Sequence, residues 1–385
     1  MKIALGMIIK NLVSDAMITR FIENAEKYGH KLECVIVAYS HNLDPQVRRA
    51  ISDKVPFYAV NIYDPAFCRD EFTKLGVSGD AVRALLKCPV DMSAGLVPYG
   101  YNRNIVMIEA ILRGIDALFF VDYDVYPSVL TGMSDEPVLG DVDFFGAHLE
   151  HLSAGSQVTT GEYSGYNILP PASFDGMEDL LQGLQKPEML DYWQSSETHR
   201  CLAFQSPARE PKPCVKILGG NAAIRLSAFS TLPPFYSSYY TKGEELFLCR
   251  GEDTILGLAI AQSGTICTDI DLNPLHDTYK EFPSEPNLRD DRATQDRFYY
   301  ACTGWVGRNP FLNYIRGNDP GPAREFQREH LERGLRALSG YTSNEKFNSV
   351  MMNFDVSWDN LGRYISDYHY VLDAWNEFLE RIGMR

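Results

Sequence analysis

Residues 2–62 of this 385-residue chain alternate short apolar runs with one-sided amphipathic segments, and that alternation restricts the fold more than any other feature. Residues 2–9 read as a short buried strand. Ser14 or Asp15 caps a helix to about Tyr28, which Gly29 ends. Residues 32–39 form a second buried strand, Asp44-Pro45 opens a helix to about Ile51, and residues 57–62 form a third strand closed by Tyr63-Asp64-Pro65. Strand and helix repeated in this way predict an α/β fold with a parallel sheet and right-handed crossovers. Ligands of such sheets bind beyond the carboxyl ends of the strands, here near Lys10-Asn11, Tyr39-Ser40 and Asp64.

A fourth apolar run, GIDALFFVDYDVYP at residues 114–127, leads directly into Asp122 and Asp124. Strand alternation puts both carboxylates on one face. Together they make a compact oxygen cage suited to Mg2+ or Mn2+, cations that keep positions open for substrate phosphates. A D-x-D alone also describes solvated turns, so the surrounding residues decide.

Ahead of that run, residues 102–113 read as a helix with Ile105, Ile108, Ala110, Ile111 and Leu112 on its apolar side and Gly114 as its cap. Arg103 falls in its first turn, where a cation opposes the helix dipole; a bound anion or a paired carboxylate would each make the placement favourable. Residues 142–147 resemble another strand. Residues 150–213 are rich in Ser, Gly, Pro and Tyr, with one helical piece at 178–185, and read as a lid, a binding region or a surface insertion. The segment VKILGGNAAIRLSAF then predicts strand, double glycine and helix. Gly219 and Gly220 permit a close backbone approach to a ligand or a tight turn, and Asn221 offers both a donor and an acceptor. Glu252 and Asp253 open a helix that Gly264 closes; the dipole alone favours them there, and either could serve as a general base. His276 follows the strand at 265–271 and is expected in a loop. From about Asp319 charged amphipathic helices take over, and Tyr364, Tyr368, Tyr370, Trp375 and Phe378 are expected to pack on the main body or to form a homo-oligomer contact.

Composition excludes several classes of partner. A formal charge of -15 disfavours nucleic acid and sustained contact with an anionic bilayer. The N-terminal apolar stretch is broken by Lys10, Asn11 and Asp15, and no run reaches the roughly 18 apolar residues of a spanning helix. We read neither signal peptide nor transmembrane anchor. Eight cysteines lie scattered without a C-x-x-C pair, which argues against structural zinc and fits a reduced, cytoplasmic protein.

Taken in order, Arg103-Asn104 opening a helix, Asp122-x-Asp124, Gly219-Gly220-Asn221 with Arg225, Gly251-Glu252-Asp253 and a late His276 make residues 1–280 similar to the glycosyltransferases of GT-A fold. The resemblance implies a GT-A-like, Rossmann-type, mostly parallel sheet flanked by helices. Residues 1–318 would be the catalytic domain, with a nucleotide-sugar half at 1–130 and an acceptor and metal half at 131–318; residues 319–385 would be a helical C-terminal extension. It implies Asp124 and His276 as ligands of Mn2+ or Mg2+, with Asp122 sharing the metal or reaching the ribose. Arg103 and Asn104 would meet the nucleotide or its phosphates, Gly220 and Asn221 would line the donor sugar, and Asp253, with Glu252 beside it, would act at the acceptor hydroxyl. The activity implied is hexosyl transfer from a UDP- or GDP-type sugar to a carbohydrate or small hydroxyl acceptor, with inversion slightly favoured over retention. Tyr39-Ser40 stands where an acidic pair often holds the base, so the base stays open. Two rival readings share the architecture: a sugar nucleotidyltransferase, whose Gly-rich basic loop is missing at residues 9–12, and a non-catalytic carbohydrate-binding protein with residues 235–240 as an aromatic platform.

Overall fold

A strand such as residues 32–43, apolar on both faces, requires cover above and below, and in the computed structural model it has both. The structure describes residues 1–91, 97–133, 137–165, 169–190, 210–280, 282 and 284–385. Four strands run parallel in the order β3-β2-β1-β4: β1 (Ile3–Leu12), β2 (Leu32–Leu43), β3 (Phe57–Asn61) and β4 (Ala117–Val121). The sheet continues past β4 with β9 (Asn221–Arg225), β7 (Val158–Thr160), β12 (Cys267–Asp269) and β8 (Lys212–Pro213), with antiparallel steps at β4-β9, β9-β7 and β12-β8. A small second sheet has the order β13-β5-β6, from β5 (Val125–Met133), β6 (Pro137–Asp141) and β13 (Pro274–His276), and β10 (Tyr239–Lys242) pairs with β11 (Glu245–Leu248) as a hairpin.

The pleat sorts the side chains. Cys34, Ile36, Ala38, Leu118 and Phe120 enter one core with helices α3 (Ala66–Leu75), α4 (Gly79–Leu86) and α5 (Tyr99–Leu112). Val35, Val37, Phe119 and Val121 enter the other, with α1 (Ala16–Lys27), α2 (Pro45–Ser52) and α6 (Phe144–Ser153). The architecture is the expected one: α/β, a large central sheet parallel through its first half, helices on both faces, and further helices at the C-terminus.

Residues 65–98 contain the short helices α3 and α4; the Ser78 side chain caps the second by accepting from Ala81 N, and Gly76 closes the first at φ +68°. Several local expectations are overturned. Helix α5 starts at Tyr99, so Arg103 lies in its second turn and the helix dipole does not explain it. The strand expected at 142–147 is helix α6, because Asp143 accepts from Gly146 N at 2.8 Å and caps it, and Phe144, His148 and Leu152 follow at helical spacing. The strand expected before Gly219-Gly220 comes after the pair, as β9. Residues 9–12 belong to β1 rather than to a loop.

At the C-terminal end the helical region begins well before residue 319, with α9 (Arg292–Ile315), followed by α10 (Pro320–Thr342), α11 (Val350–Asp359) and α12 (Leu361–Arg381). Within the expected excursion at 150–213, residues 166–168 and 191–209 lie outside the described residues. Its helical piece is α7 (Met177–Gly183), which shares a core with α9, α10 and α11 through Leu180, Leu181, Phe298, Leu331 and Phe354. Gly183 and Gly334 let α7 and α10 touch; a Cβ on Gly183 would lie 2.5 Å from Leu331 Cα. Helix α12 returns to the main body, where Phe378 stacks on Phe72 at 4.8 Å and Trp375 meets Phe229 edge-on at 5.8 Å. Of the aromatics expected to pack there, Tyr364, Trp375 and Phe378 are buried, while Tyr370 is 46% exposed.

Candidate active site

Asp122 and Asp124 lie in the turn between β4 and β5, not on a strand face, so turn geometry brings them together rather than strand alternation. Val125 N donates to Asp122 O at 3.1 Å and closes that turn. The distant histidine arrives by sheet register: β13 runs antiparallel to β5 with His276 opposite Val125, and Asp277 N donates to Asp124 O at 2.9 Å. His276 therefore ends a strand instead of lying in a loop. Its Nε2 donates to Asp124 Oδ1 at 3.0 Å, and one ligating atom from each of Asp122, Asp124 and His276 lies within 4.8 Å of the others. All three side chains are part-exposed, so solvent reaches the cluster.

Burial would raise the Asp124 pKa, but the neighbouring His276 and Arg297, the latter at 3.7 Å, outweigh it and hold Asp124 below its usual range. Burial also works against a charged His276, and Asp124 and Asp122 reverse the balance and raise it. Arg103, only 3% exposed, is likewise kept charged against burial by Asp122 and Glu252. Its Nη2 donates to Asp122 Oδ1 at 3.1 Å, its Nε to Glu252 Oε1 at 3.0 Å and its Nη1 to Gly219 O at 2.7 Å. Burial, then Asp253, raise the Glu252 pKa, and Arg103 offsets part of this.

Around the turn, the carboxylates of Asp122, Asp124, Glu252 and Asp253 face the guanidinium groups of Arg103 and Arg297. Two carboxylates and an imidazole form a donor set that a divalent cation accepts, and the surplus negative charge favours one. The buried His276 Nδ1 has no hydrogen-bond partner among the described residues, so the ring's contact with the aspartates is its polar anchor. The residues present fit a bound divalent cation.

Glycine at 219 and 220 serves the side chains of the site. Antiparallel pairing of Val121 with Asn221 sets Gly220 beside Asp122. A Cβ on Gly220 would come within 2.6 Å of Asp122 Cγ and of the Tyr163 hydroxyl, and one on Gly219 within 2.7 Å of Arg103 Cζ. Neither glycine has a positive φ. Asn221, expected beside a donor sugar, is fully buried and occupied within the protein: its amide donates to Glu162 O at 2.8 Å and Leu272 O at 3.1 Å, and its Oδ1 accepts from His148 Nε2 at 3.2 Å. Asn104 points to Phe235, exchanging two hydrogen bonds with that residue's backbone. Arg225, at the far end of β9, donates to Leu152 O.

Glu252 and Asp253 do open a helix, α8 (Glu252–Ser263), behind Gly251 at φ +93°. Glu252 faces inward to Arg103. Asp253 is less buried, with Oδ1 accepting from Thr254 N at 2.7 Å and Oδ2 from Gly219 N at 3.4 Å. Sequence reasoning passed over two residues. The Tyr163 ring packs on His276 at a centroid distance of 4.5 Å, and burial and then Asp122 push its hydroxyl pKa well up. Arg297 reaches Asp124 from α9. Neither residue sits in a motif; only the fold brings them here. The aromatic platform expected at 235–240 is not available as such, because Phe235, Tyr236 and Tyr240 are buried.

No family model matches the chain, and no curated protein matches it. Among solved structures, a mycobacterial protein overlaps 83% of this chain and 75% of its own at 13% identity, with a TM-score of 0.42. Glucosyl-3-phosphoglycerate synthase from Mycobacterium tuberculosis, in complex with Mn2+, UDP and phosphoglyceric acid, overlaps 83% and 79% at 15% identity and a TM-score of 0.42. The same enzyme with Mn2+, UDP-glucose and phosphoglyceric acid overlaps 83% and 80% at 14% identity and 0.41. At this level of overlap the chemistry of the site rests on its own residues. No helix among the described residues is long and apolar enough to cross a membrane.

Proposed function

We propose that this chain is a metal-dependent glycosyltransferase of GT-A type, transferring a hexosyl group from a nucleoside diphosphate sugar to a hydroxyl acceptor. One observation carries the reading: Asp122, Asp124 and His276 converge within 4.8 Å at the carboxyl end of β4, in a sheet whose first half is parallel. That edge is where α/β sheets bind their ligands.

In this reading Asp124 and His276, with Asp122, hold Mn2+ or Mg2+. A divalent cation there supplies Lewis-acid neutralisation of the charge on the departing diphosphate. Everything else is done by the chain itself. Arg103, occupied by protein partners, fixes the Asp122 rotamer and so acts as a positioning residue rather than a phosphate ligand. Glu252 holds Arg103 in turn. Asp253, less buried and hydrogen-bonded to the Gly219 amide, accepts the proton of the acceptor hydroxyl, and direct attack would invert the anomeric centre. The donor base would lie near the carboxyl ends of β1 and β2, where Asn42 donates to Asn11 at 3.0 Å and Ser40 bonds His41 at 2.8 Å. The amide and hydroxyl groups of Asn11, Asn42 and Ser40 can hydrogen-bond the edge of a uracil or guanine base.

A thermal-shift series with UDP- and GDP-sugars, with and without Mn2+, tests the reading. A ligand that binds only the folded form at a hundred times its Kd stabilises by about 2.7 kcal/mol. We expect a shift that needs donor and Mn2+ together and that Asp124→Ala removes. A donor shift indifferent to Mn2+, or one preserved in Asp124→Ala, would remove the basis for the proposed transfer.

A further inference from the structure

Outside the metal-ligand cluster, one pair of reactive side chains is set up for chemistry of its own. Strands β8 and β12 pair antiparallel, Pro213 opposite Thr268 and Lys212 opposite Asp269, and one step further along the same register Cys214 faces Cys267. Cys214 N donates to Cys267 O at 3.0 Å, and the two sulfurs are 3.4 Å apart. Directly opposite residues of an antiparallel pair stand about 4.5–5.5 Å apart at Cα, within the span of a disulfide, so rotation about the side chains can bring the sulfurs together.

The two thiols are unequal in the way a redox pair requires. Cys214 is partly exposed and Cys267 is buried. The hydrogen bond from Cys267, assisted by Lys216, lowers the Cys214 pKa, while that same bond and burial raise the Cys267 pKa. The thiolate is the species that oxidants attack, so Cys214 reacts first. Cys88, the other partly exposed thiol among the described residues, has Tyr63 as its side-chain partner instead of a second sulfur.

The location gives the pair a consequence. Cys214 begins the ribbon 214–220, whose far end carries the Gly219 carbonyl that Arg103 bonds and the Gly220 that makes room for Asp122. Along the way Leu218 N donates to Thr160 Oγ1 at 3.0 Å, and Gly257 of α8 lies directly against the Val215 carbonyl, leaving no room for a Cβ.

We propose that Cys214 and Cys267 form a peroxide-sensitive dithiol that closes to a reversible disulfide and pins the ribbon 214–220 to β12. The steps balance. The Cys214 thiolate attacks one oxygen of hydrogen peroxide, the O–O bond breaks, and hydroxide leaves a sulfenic acid. The Cys267 sulfur then attacks the Cys214 sulfur, the S–O bond breaks, and the oxygen leaves as water with the Cys267 proton. Each sulfur loses one electron, and the peroxide is reduced by two.

The test uses the full chain, oxidised with hydrogen peroxide, alkylated, digested without reductant and mapped by mass spectrometry. The expected main cysteine product is a linked peptide pair, 214 with 267, short of two hydrogens, which dithiothreitol returns to two thiols and which Cys214→Ser cannot form. Amide hydrogen exchange across 215–220 is expected to slow in the oxidised protein. Recovery of both cysteines as free thiols, or linkage of either to another cysteine such as Cys201, overturns the proposal. Unchanged exchange in a fully linked sample overturns the pinning. Neither readout depends on sugar transfer, so the two proposals fail separately.

Discussion

Arg103 donates to Asp122 from beneath the sheet edge, Nη2 to Oδ1 at 3.1 Å, so the first aspartate of the D-x-D is oriented from inside the protein. The same guanidinium neutralises Glu252, which is 6% exposed. Removing it leaves a buried carboxylate without its counter-charge. Breaking a buried pair from one side costs about 3–5 kcal/mol, and Arg103→Met should lose stability of that order in urea unfolding at pH 7. Arg103→Lys keeps the charge but cannot match three divergent hydrogen bonds, so it should fall between. A loss below about 1 kcal/mol for Arg103→Met would show that the arginine does not hold the site together.

The adjacent carboxylates Glu252 and Asp253 should separate in kinetics. Asp253→Asn keeps an oxygen able to accept from Thr254 N, so folding should change little, whereas a lost general base costs about a hundred- to ten-thousand-fold in kcat. Glu252→Gln retains the volume and an oxygen able to accept from Arg103 Nε but removes the charge that faces the guanidinium, and should lower stability together with Mn2+ affinity. Urea unfolding and steady-state rates on the two variants decide the matter: equal effects on stability and rate in both would dissolve the distinction between base and support.

The first half of the sheet was legible because its signals are local. Residues 32–39 are too uniformly apolar for an exposed strand, and Asp44-Pro45 caps the helix that follows, its side chain accepting from Gln46 N at 2.7 Å. The cluster of Asp122, Asp124 and His276 was legible only through the order of motifs. The reason the cluster forms, namely the pairing of His276 with Val125, is a non-local register that no window of sequence contains. Helix α6 was misread because the adjacent Phe144 and Phe145 suit a strand buried on both faces as well as a buried helix, and the Asp143 cap that decides the matter was passed over. Arg297 was invisible for another reason: it is one arginine on a long helix, and its meaning lies in what α9 packs against.

Glycine 220 offers a test of geometry without removing a functional group. A methyl there would overlap the Asp122 carboxylate and the Tyr163 hydroxyl, so Gly220→Ala should displace the aspartate and reduce Mn2+-dependent stabilisation by at least about tenfold in apparent affinity. Gly340 lies inside α10, where an added methyl would meet nothing within 4 Å; Gly340→Ala should stabilise by up to about 1 kcal/mol and leave Mn2+ binding alone. Calorimetric Mn2+ titration of both variants gives the comparison, and wild-type affinity in Gly220→Ala would mean that Asp122 is not a ligand.

His148 predicts a specific acid sensitivity. Both amide hydrogens of Asn221 are committed to backbone carbonyls, so its Oδ1 can only accept, and the histidine carries its proton on Nε2. His148 Nδ1 then accepts from the Thr159 hydroxyl at 2.8 Å. A second proton, on Nδ1, would reverse that bond and turn the Thr159 hydroxyl to the more distant Ala223 O at 3.4 Å. Burial is the main cause, and it pushes the folded-state pKa down from 6.5 to about 3. Between those values the unfolded chain binds a proton that the folded chain refuses, so stability falls as pH drops through about 6.5 and goes on falling toward about 3, by about 1.4 kcal/mol per pH unit once the unfolded residue is mostly charged. At pH 4.5 this one residue should withdraw on the order of 2–3 kcal/mol relative to pH 7. His148→Gln has no such group: it should be less stable at pH 7 by about 1–3 kcal/mol through imperfect hydrogen bonding, yet lose less on acidification, so that the two unfolding curves converge toward pH 4.5. Parallel loss of stability in both proteins would mean that the imidazole is protonated in the folded state, and the neutral Thr159–His148–Asn221 chain would have to be abandoned.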